Sequence, residues 1–213
     1  MDIVLFGIQG SGKGSIGKLV SQQYGFKIFE TGGELRKLSA ENSPLGNKIK
    51  EILNAGKLVS NDVVMEIIEN FIQNLPAESK LLFDGIPRFL EQANSFDQLM
   101  KKHNREFTGI LIDVPEQEVL RRLSTRRICK DCKTIFASDY TKNTCDKCGG
   151  ELFVRSDDNP ESIKIRLKSY YEETVPVIER YKSQNKIIVM DGNKNLNDCK
   201  VDIFELIDSK IKL

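Results

Sequence analysis

Two groups of residues in this chain have the types and spacing to do chemistry. The first runs Gly7-Ile8-Gln9-Gly10-Ser11-Gly12-Lys13-Gly14-Ser15, where Gly7, Gly12 and Lys13 fit the Gly-x4-Gly-Lys spacing of a phosphate-binding loop. Glycines let backbone N–H groups curl around an anion, and a helix starting near Lys13 adds the partial positive charge of its N-terminus. Lys13 then reaches the outer phosphates. In the general form of this loop a hydroxyl directly after the lysine ligates magnesium. Here Gly14 stands there and Ser15 follows, so Mg²⁺ is expected to rest mainly on the ligand's phosphates and water. The bland alternative is a tight turn joining strand to helix; the lysine, with a strand before it and a helix after it, favours phosphate.

The second group is Cys129-Lys130-Asp131-Cys132 and Cys145-Asp146-Lys147-Cys148, two Cys-x-x-Cys knuckles enclosing residues 133–144. One such pair could be a redox dithiol. Two at this distance point to a structural tetrahedral Zn²⁺ on four thiolates, with no ligand position left open for catalysis. The stretch from Cys129 to Gly150 loses all apolar periodicity, so it must be a separately stabilised insertion, too small to hold a core of its own. Cys199, in a helical and partly polar segment, is expected to be half-buried.

These groups need a scaffold, and the apolar pattern describes one. Asp2–Phe6, Leu81–Asp84, Gly109–Val114 and Lys186–Asp191 are short runs rich in Val, Ile and Leu, with Lys27–Phe29 a weaker fifth. Continuous apolar strands separated by helical stretches predict an α/β fold, a five-stranded parallel sheet flanked by helices. Asn61–Leu75 places Val64, Ile68, Ile72 and Leu75 on one stripe, and Asn159-Pro160-Glu161 reads as an N-cap and first turn opening a long helix towards Lys182. Asp84 would end the third strand at the crevice where such sheets bind ligands.

The 213 residues can bury a sizeable core, and 32 Lys+Arg against 31 Asp+Glu leave a net charge of +1. That balance argues against a nucleic-acid binder. With no basic leader and no long apolar segment, neither a signal peptide nor a membrane span is expected, and the cysteine usage suits the reducing cytoplasm.

Further segments carry a resemblance. They are Glu30-Thr31-Gly32-Gly33-Glu34-Leu35-Arg36, Ala55-Gly56-Lys57-Leu58-Val59, Asp84-Gly85-Ile86-Pro87-Arg88 with Gln92, and Asp113-Val114-Pro115. Arg122 with Arg126-Arg127, Arg155-Ser156-Asp157-Asp158 and Arg166 follow. With the Gly-Lys-Gly-Ser loop they resemble, in unbroken order from Asp2 to about Asn195, the adenylate kinase family of nucleoside monophosphate kinases, in its zinc-bearing-lid subgroup. The resemblance implies a P-loop kinase fold with a core at 1–29, 60–124 and 159–213. It places a small helical AMP-binding insertion at 30–59 and a zinc-stabilised lid at 125–158.

The implied reaction is reversible phosphoryl transfer from Mg-ATP to AMP, giving two ADP, in a protein that is often a monomer. By the same resemblance ATP falls to Gly10, Ser11, Gly12, Lys13, Gly14, Ser15, Arg122, Arg126, Ile135, Phe136 and Lys194. AMP falls to Thr31, Arg36, Lys57, Leu58, Val59, Gly85, Ile86, Pro87, Arg88, Gln92, Arg155 and Arg166. The catalytic set is Lys13, Arg88, Arg122, Arg126, Arg155 and Arg166, with Asp84 ordering magnesium-bound water. These types suit the chemistry. Two polyanions meet in one site, so positioned cations are the main need, and an ionised phosphate acceptor requires no general base. His103, the sole histidine, is expected to be an exposed loop residue. Arg122 and Arg126, four apart, would share one face of a continuing helix, and Asp157 and Asp158 would pair with lid arginines.

Four departures stand out. Gly33 replaces the usual aspartate, Gln9 a common proline and Ile16 a usual glutamine, and Phe136-Ala137 stands where a Tyr-His pair is typical. The loss of a carboxylate at 33 predicts reduced activity that Gly33→Asp would improve. Two other functions remain open at this point: a kinase for UMP or CMP, and a nucleotide-binding sensor with little catalysis. Thr31 and Gln92 favour AMP, and the full set of cations weighs against a mere binder.

Overall fold

The computed structural model describes residues 1–136 and 140–211. Five strands, β1 (Asp2–Phe6), β2 (Lys27–Glu30), β3 (Leu81–Asp84), β4 (Phe107–Asp113) and β8 (Ile187–Asp191), form one parallel sheet in the order β2-β3-β1-β4-β8. The expected sheet is therefore present, its strands matching the apolar runs to within two residues.

Alternation along each strand divides the core. Val4 and Phe6 of β1, with Leu81 and Phe83 of β3, face one cluster; Ile3, Leu5 and Leu82 face the other. The first cluster is covered by α3 (Pro44–Asn54), α4 (Asn61–Gln73), α5 (Leu90–Lys102) and α8 (Val175–Ser183), and Val64, Ile68 and Ile72 of α4 form its expected buried stripe. The second packs under α1 (Lys13–Tyr24), α6 (Glu116–Thr125), α7 (Pro160–Ser169) and α9 (Leu196–Lys210). With both faces covered, loops at the carboxyl ends of the strands are left to build a site.

The long helix expected after Asn159 is interrupted. Asn159 does cap α7, accepting from the Ser162 N–H, but Tyr170–Thr174 form a π-helical turn before α8 begins. Pro176 supplies the reason: it has no N–H for the carbonyl one turn back, and a wider turn accommodates its ring. Short α2 (Thr31–Ser39) and α3 follow β2 directly. Residues 127–153 carry a separate antiparallel sheet in the order β6-β5-β7, made of β5 (Arg127–Cys129), β6 (Ile135–Phe136) and β7 (Leu152–Phe153). No helix among the described residues is long and apolar enough to cross a membrane.

Candidate nucleotide site and metal centre

The phosphate loop is built by its glycines. Gly7 has φ 144° and Gly12, the N-cap of α1, has φ 101°, conformations that side-chain-bearing residues rarely adopt. At Gly7 a Cβ would also fall 2.6 Å from the Ile112 carbonyl. Lys13 folds back to donate from Nζ to the Gly7 and Ile8 carbonyls at 2.7 and 2.9 Å. Burial pulls its ammonium down to about 8; Asp84 opposes that, while Arg88, Arg166 and Arg126 reinforce it. A buried ammonium among arginines is a group in need of an anion.

Asp84 closes β3 in register with Glu30 at the end of β2, and its carboxylate lies 3.7 Å from the position of a Cβ on Gly14. Burial raises its pKa, and Lys13 counters. Four arginines surround this floor. Arg88 folds its Nε onto the Gly85 carbonyl at 2.8 Å, its own carbonyl accepts from the Thr174 hydroxyl, and burial lowers its pKa to about 10. Arg36 pairs with Glu30 at 3.0 Å. Arg155 grips Asp157 in two hydrogen bonds of 2.8 and 2.5 Å, and Arg166 donates to the Asp157 carbonyl and, at 3.3 Å, to the Asp158 carboxylate. Burial and mutual repulsion lower the pKa of Arg36 and of Arg166. Among these four, Arg88 alone has no carboxylate within ion-pair distance among the described residues.

Arg126 forms a bidentate pair with Asp158 at 2.8 and 2.6 Å, so both expected aspartate–arginine pairings are present. It does not, however, continue a helix with Arg122. Helix α6 ends at Thr125 and Arg126 has the extended ψ of 128°, which swings it away from its neighbour. Arg122 instead spans the phosphate loop and the turn before α9, donating to the Ser11 carbonyl at 3.4 Å and the Gly192 carbonyl at 3.0 Å.

Beside the pocket that Gln9 and Lys13 line lies a second, which shares Gly56, Leu58, Gly85, Arg88 and Arg166 with this first one. Thr31, Arg36, Lys57, Val59, Gln92 and Arg155 line this neighbour. Gln92 is buried, and its Oε1 accepts from the Arg88 N–H at 2.7 Å, leaving its amide N–H₂ for another partner. Thr31 Oγ1 is buried with no partner. Gly85, Ile86 and Pro87 line the first pocket beside Lys13. Asn54 ties the two sides, accepting from Ser156 at 3.1 Å and, through its carbonyl, from Ser162 at 2.9 Å.

Two expectations need correcting, those for His103 and Cys199, and one departure is offset. Phe136 turns into the small metal-knuckle core with Cys129 and Cys145 and stacks on Tyr140 at 4.2 Å, so Ile135 alone of that pair is exposed. Ala137 lies outside the described residues. His103 is half-buried, because it closes α5 and sits 3.6 Å from Glu69. Cys199 is buried rather than half-buried: it lies on the inner face of α9 in the second core cluster, its Sγ 3.9 Å from the Asp191 carbonyl at the end of β8. Gly33 does not leave the site short of a carboxylate: a Cβ there would lie 3.4 Å from the carboxyl carbon of Glu30, so Glu30 already occupies the space. Sequence reasoning missed Glu30, and the coincidence of a glycine at 33 with an acid three residues earlier was the available signal. Lys194 places its ammonium on Asp202 at 2.7 Å, just before the N-cap of α9.

The four knuckle cysteines converge. Their Sγ atoms all lie within 4.8 Å of one another, with Cys129 to Cys148 at 3.4 Å and Cys132 to Cys145 at 3.5 Å. A tetrahedral Zn²⁺ with bonds of about 2.3 Å sets its sulfurs about 3.8 Å apart, so the donor set and its spread fit zinc. Hydrogen bonding to Thr134 lowers the Cys132 thiol, while at Cys148 the Gly150 backbone is outweighed by Cys129 and Cys132, which raise its thiol, so the thiols titrate together as one cluster.

Comparison with known proteins agrees with this geometry. The family model described as adenylate kinase matches residues 5–186. A protein named adenylate kinase from Archaeoglobus fulgidus is 36% identical over all of both chains. One of the same name from Clostridium tetani is 35% identical over 98% of this chain and 97% of its own, and one from Borrelia duttonii 37% identical over 100% and 99%.

Proposed function

This chain belongs to the adenylate kinase family, and from that premise we infer how its residues carry out the reversible transfer of a phosphoryl group from ATP to AMP, giving two ADP. The observation that carries the reading is the convergence of Lys13, Arg88, Arg166, Arg36 and Arg155 on two adjoining pockets between the phosphate loop and α2–α3.

ATP lies along Gly10–Ser15, its outer phosphates on the loop N–H groups and on Lys13, with Arg122 and Arg126 closing over it and Ile135 and the Lys194 backbone beside its base. AMP fills the neighbouring pocket, its phosphate on Arg36, Arg88, Arg155 and Arg166 and its adenine edge on Gln92. Thr31, the Lys57–Val59 backbone and the 85–87 turn enclose it. An AMP phosphate oxygen attacks the terminal phosphorus, its bond to the bridging oxygen breaks, and ADP departs with the electron pair. Mg²⁺ held on the ATP phosphates supplies charge neutralisation; Asp84, a buried carboxylate beside the loop, is the residue suited to hold its water.

The carboxylates have a second task. Glu30, Asp157 and Asp158 pair with arginines that the substrates need, so they act as placeholders that phosphate oxygens displace. Arg88 carries no such placeholder and is the first anchor for an incoming phosphate. Residues 30–59 form the AMP-binding unit and 125–158 a lid. Zinc on Cys129, Cys132, Cys145 and Cys148 keeps that lid rigid without entering the chemistry. Closure of the lid excludes water that would otherwise take the phosphoryl group. Cysteines without a disulfide among the described residues support a cytoplasmic setting, and the near-neutral charge weighs against nucleic acid or a membrane surface as partner.

The test is a coupled assay of diphosphate formation from ATP with AMP, CMP, UMP and GMP in parallel. AMP is expected to be preferred by at least about a hundredfold, as pairing to a base edge commonly gives. Equal turnover of CMP or UMP would refute the acceptor assignment, and no turnover of any would refute catalysis.

A further inference from the structure

The phosphate loop carries one side chain that the reading above leaves without a task. Gln9 lines the first pocket together with Lys13, Arg88 and Arg166, and its Nε2 is buried with no hydrogen-bond partner. Four other buried side-chain atoms among the described residues share that condition; one is on Ser11 in the same loop and one on Thr31, which lines the second pocket. A buried amide donor left unpaired is destabilising, so a native fold keeps one chiefly where something arrives to accept from it.

The pocket defines what arrives. Its charged side chains, Lys13, Arg88 and Arg166, are donors with nothing to offer an N–H₂ group. The hydroxyls of Ser169, Tyr170 and Thr174 also line the pocket, but none bonds to Nε2, and an acceptor that three cations draw in as well is rich in oxygen and negative charge. Position narrows it further. Lys13 and Gln9 belong to the donor-side loop, and Gly85, Arg88 and Leu58 to the acceptor side, yet all line one cavity. The group that lies between the two sides is the phosphoryl in transit.

We propose that the Gln9 carboxamide donates a hydrogen bond to an oxygen of the transferring phosphoryl group, making Gln9 a catalytic residue of this chain. The role rests on the phosphoryl-transfer reading given above. No proton changes hands; the N–H₂ group only stabilises charge on the equatorial oxygens while one P–O bond breaks and another forms. Because the contact is made to the moving group, it acts on kcat more than on either KM.

Gln9→Met keeps the length of the side chain and removes the donor, and Gln9→Glu replaces the donor with a repelling carboxylate. Steady-state kinetics with ATP and AMP, beside a melting curve for each variant, decide the matter. A hydrogen bond to a charged group predicts a fall in kcat of about ten- to a hundredfold for Gln9→Met, with each KM within about threefold of the parent. Gln9→Glu falls further. The melting temperature of Gln9→Met stays level or rises, since an unpaired buried amide has gone. Parental kcat in Gln9→Met, a loss confined to KM, or a loss accompanied by a lowered melting temperature would each overturn the role. A parent chain that forms no ADP overturns the underlying reading and this role with it, whereas an active parent with an indifferent Gln9→Met overturns the role alone.

Discussion

An aspartate placed at residue 33 would test how the pocket proposed for AMP balances its charges. The sequence alone suggests that Gly33→Asp restores a missing carboxylate and raises activity. The structure reverses that expectation, because a Cβ at 33 would sit 3.4 Å from the carboxyl carbon and 3.5 Å from an oxygen of Glu30. The new carboxylate would stand about 4 Å from the old one, a repulsion of about 1 kcal/mol in water and about 4 kcal/mol at an effective dielectric of 20. The Glu30 side chain is 47% exposed, which places the value near the low end, about 1–2 kcal/mol. Arg36, held by Glu30 at 3.0 Å, would then be either released from its position or neutralised twice, and AMP phosphate would bind it less well. We expect kcat/KM for AMP to fall about five- to thirtyfold, with KM for ATP little changed and the effect shrinking at high salt. Glu30→Ser combined with Gly33→Asp, which moves the carboxylate rather than doubling it, should recover most of the loss. Steady-state kinetics with AMP varied at saturating ATP make the comparison. A single Gly33→Asp variant that equals or exceeds its parent would refute the reasoning.

Three further outcomes follow from the same geometry. The folded pKa of Lys13, about 8, lies below its usual 10.5, so the unfolded chain holds more protons between those values and this group adds stability as pH rises through that window. Bound phosphates should return the proton, so calorimetry of ATP binding near pH 9 in buffers of different ionisation enthalpy should show uptake of close to one proton, and none if Lys13 is not the titrating group. Replacing Asp158 by Asn removes the charge partner of Arg126, whose side chain is only 11% exposed; a loss of about 3 kcal/mol would lower the melting temperature by about 6–12 °C, which calorimetric scans can read. Stripping zinc with a chelator, or Cys132→Ser, should expose residues 127–153 to proteolysis and lower the melting temperature, since structural zinc contributes about 10–16 kcal/mol of apparent folding energy in small domains. An unaltered cleavage pattern would remove zinc from the lid's stability.

What the sequence made legible was whatever depends on short-range pattern. Ile3, Val4, Leu5 and Phe6 form a continuous apolar run because β1 is the central strand, buried on both faces, and such runs announce themselves. Gly7, Gly12 and Lys13 mark the phosphate loop because backbone curvature there tolerates little else, and the Cys-x-x-Cys knuckles are legible because metal ligation fixes their spacing. What required coordinates was the partner each charge chooses. Four-residue spacing put Arg122 and Arg126 on one face, but the helix ends between them and Asp158 draws Arg126 away. The helix expected to run unbroken towards Lys182 passes through Pro176, and the coordinates show that the chain widens there into a π-helical turn and continues. His103 read as solvated from its lysine-rich neighbours, while α5 turns it against Glu69 from another helix. The Glu30–Gly33 exchange joins two positions whose compensation depends on side-chain direction.

Central to the proposed mechanism is one cleft that receives two nucleotides side by side, and a dinucleotide measures that most directly. Titration calorimetry with two adenosines joined through a chain of five phosphates should give one molecule bound per chain, with both ATP and AMP excluded from the filled protein. A stoichiometry of two, or retention of AMP binding after saturation, would show that the cations of the two pockets serve separate sites.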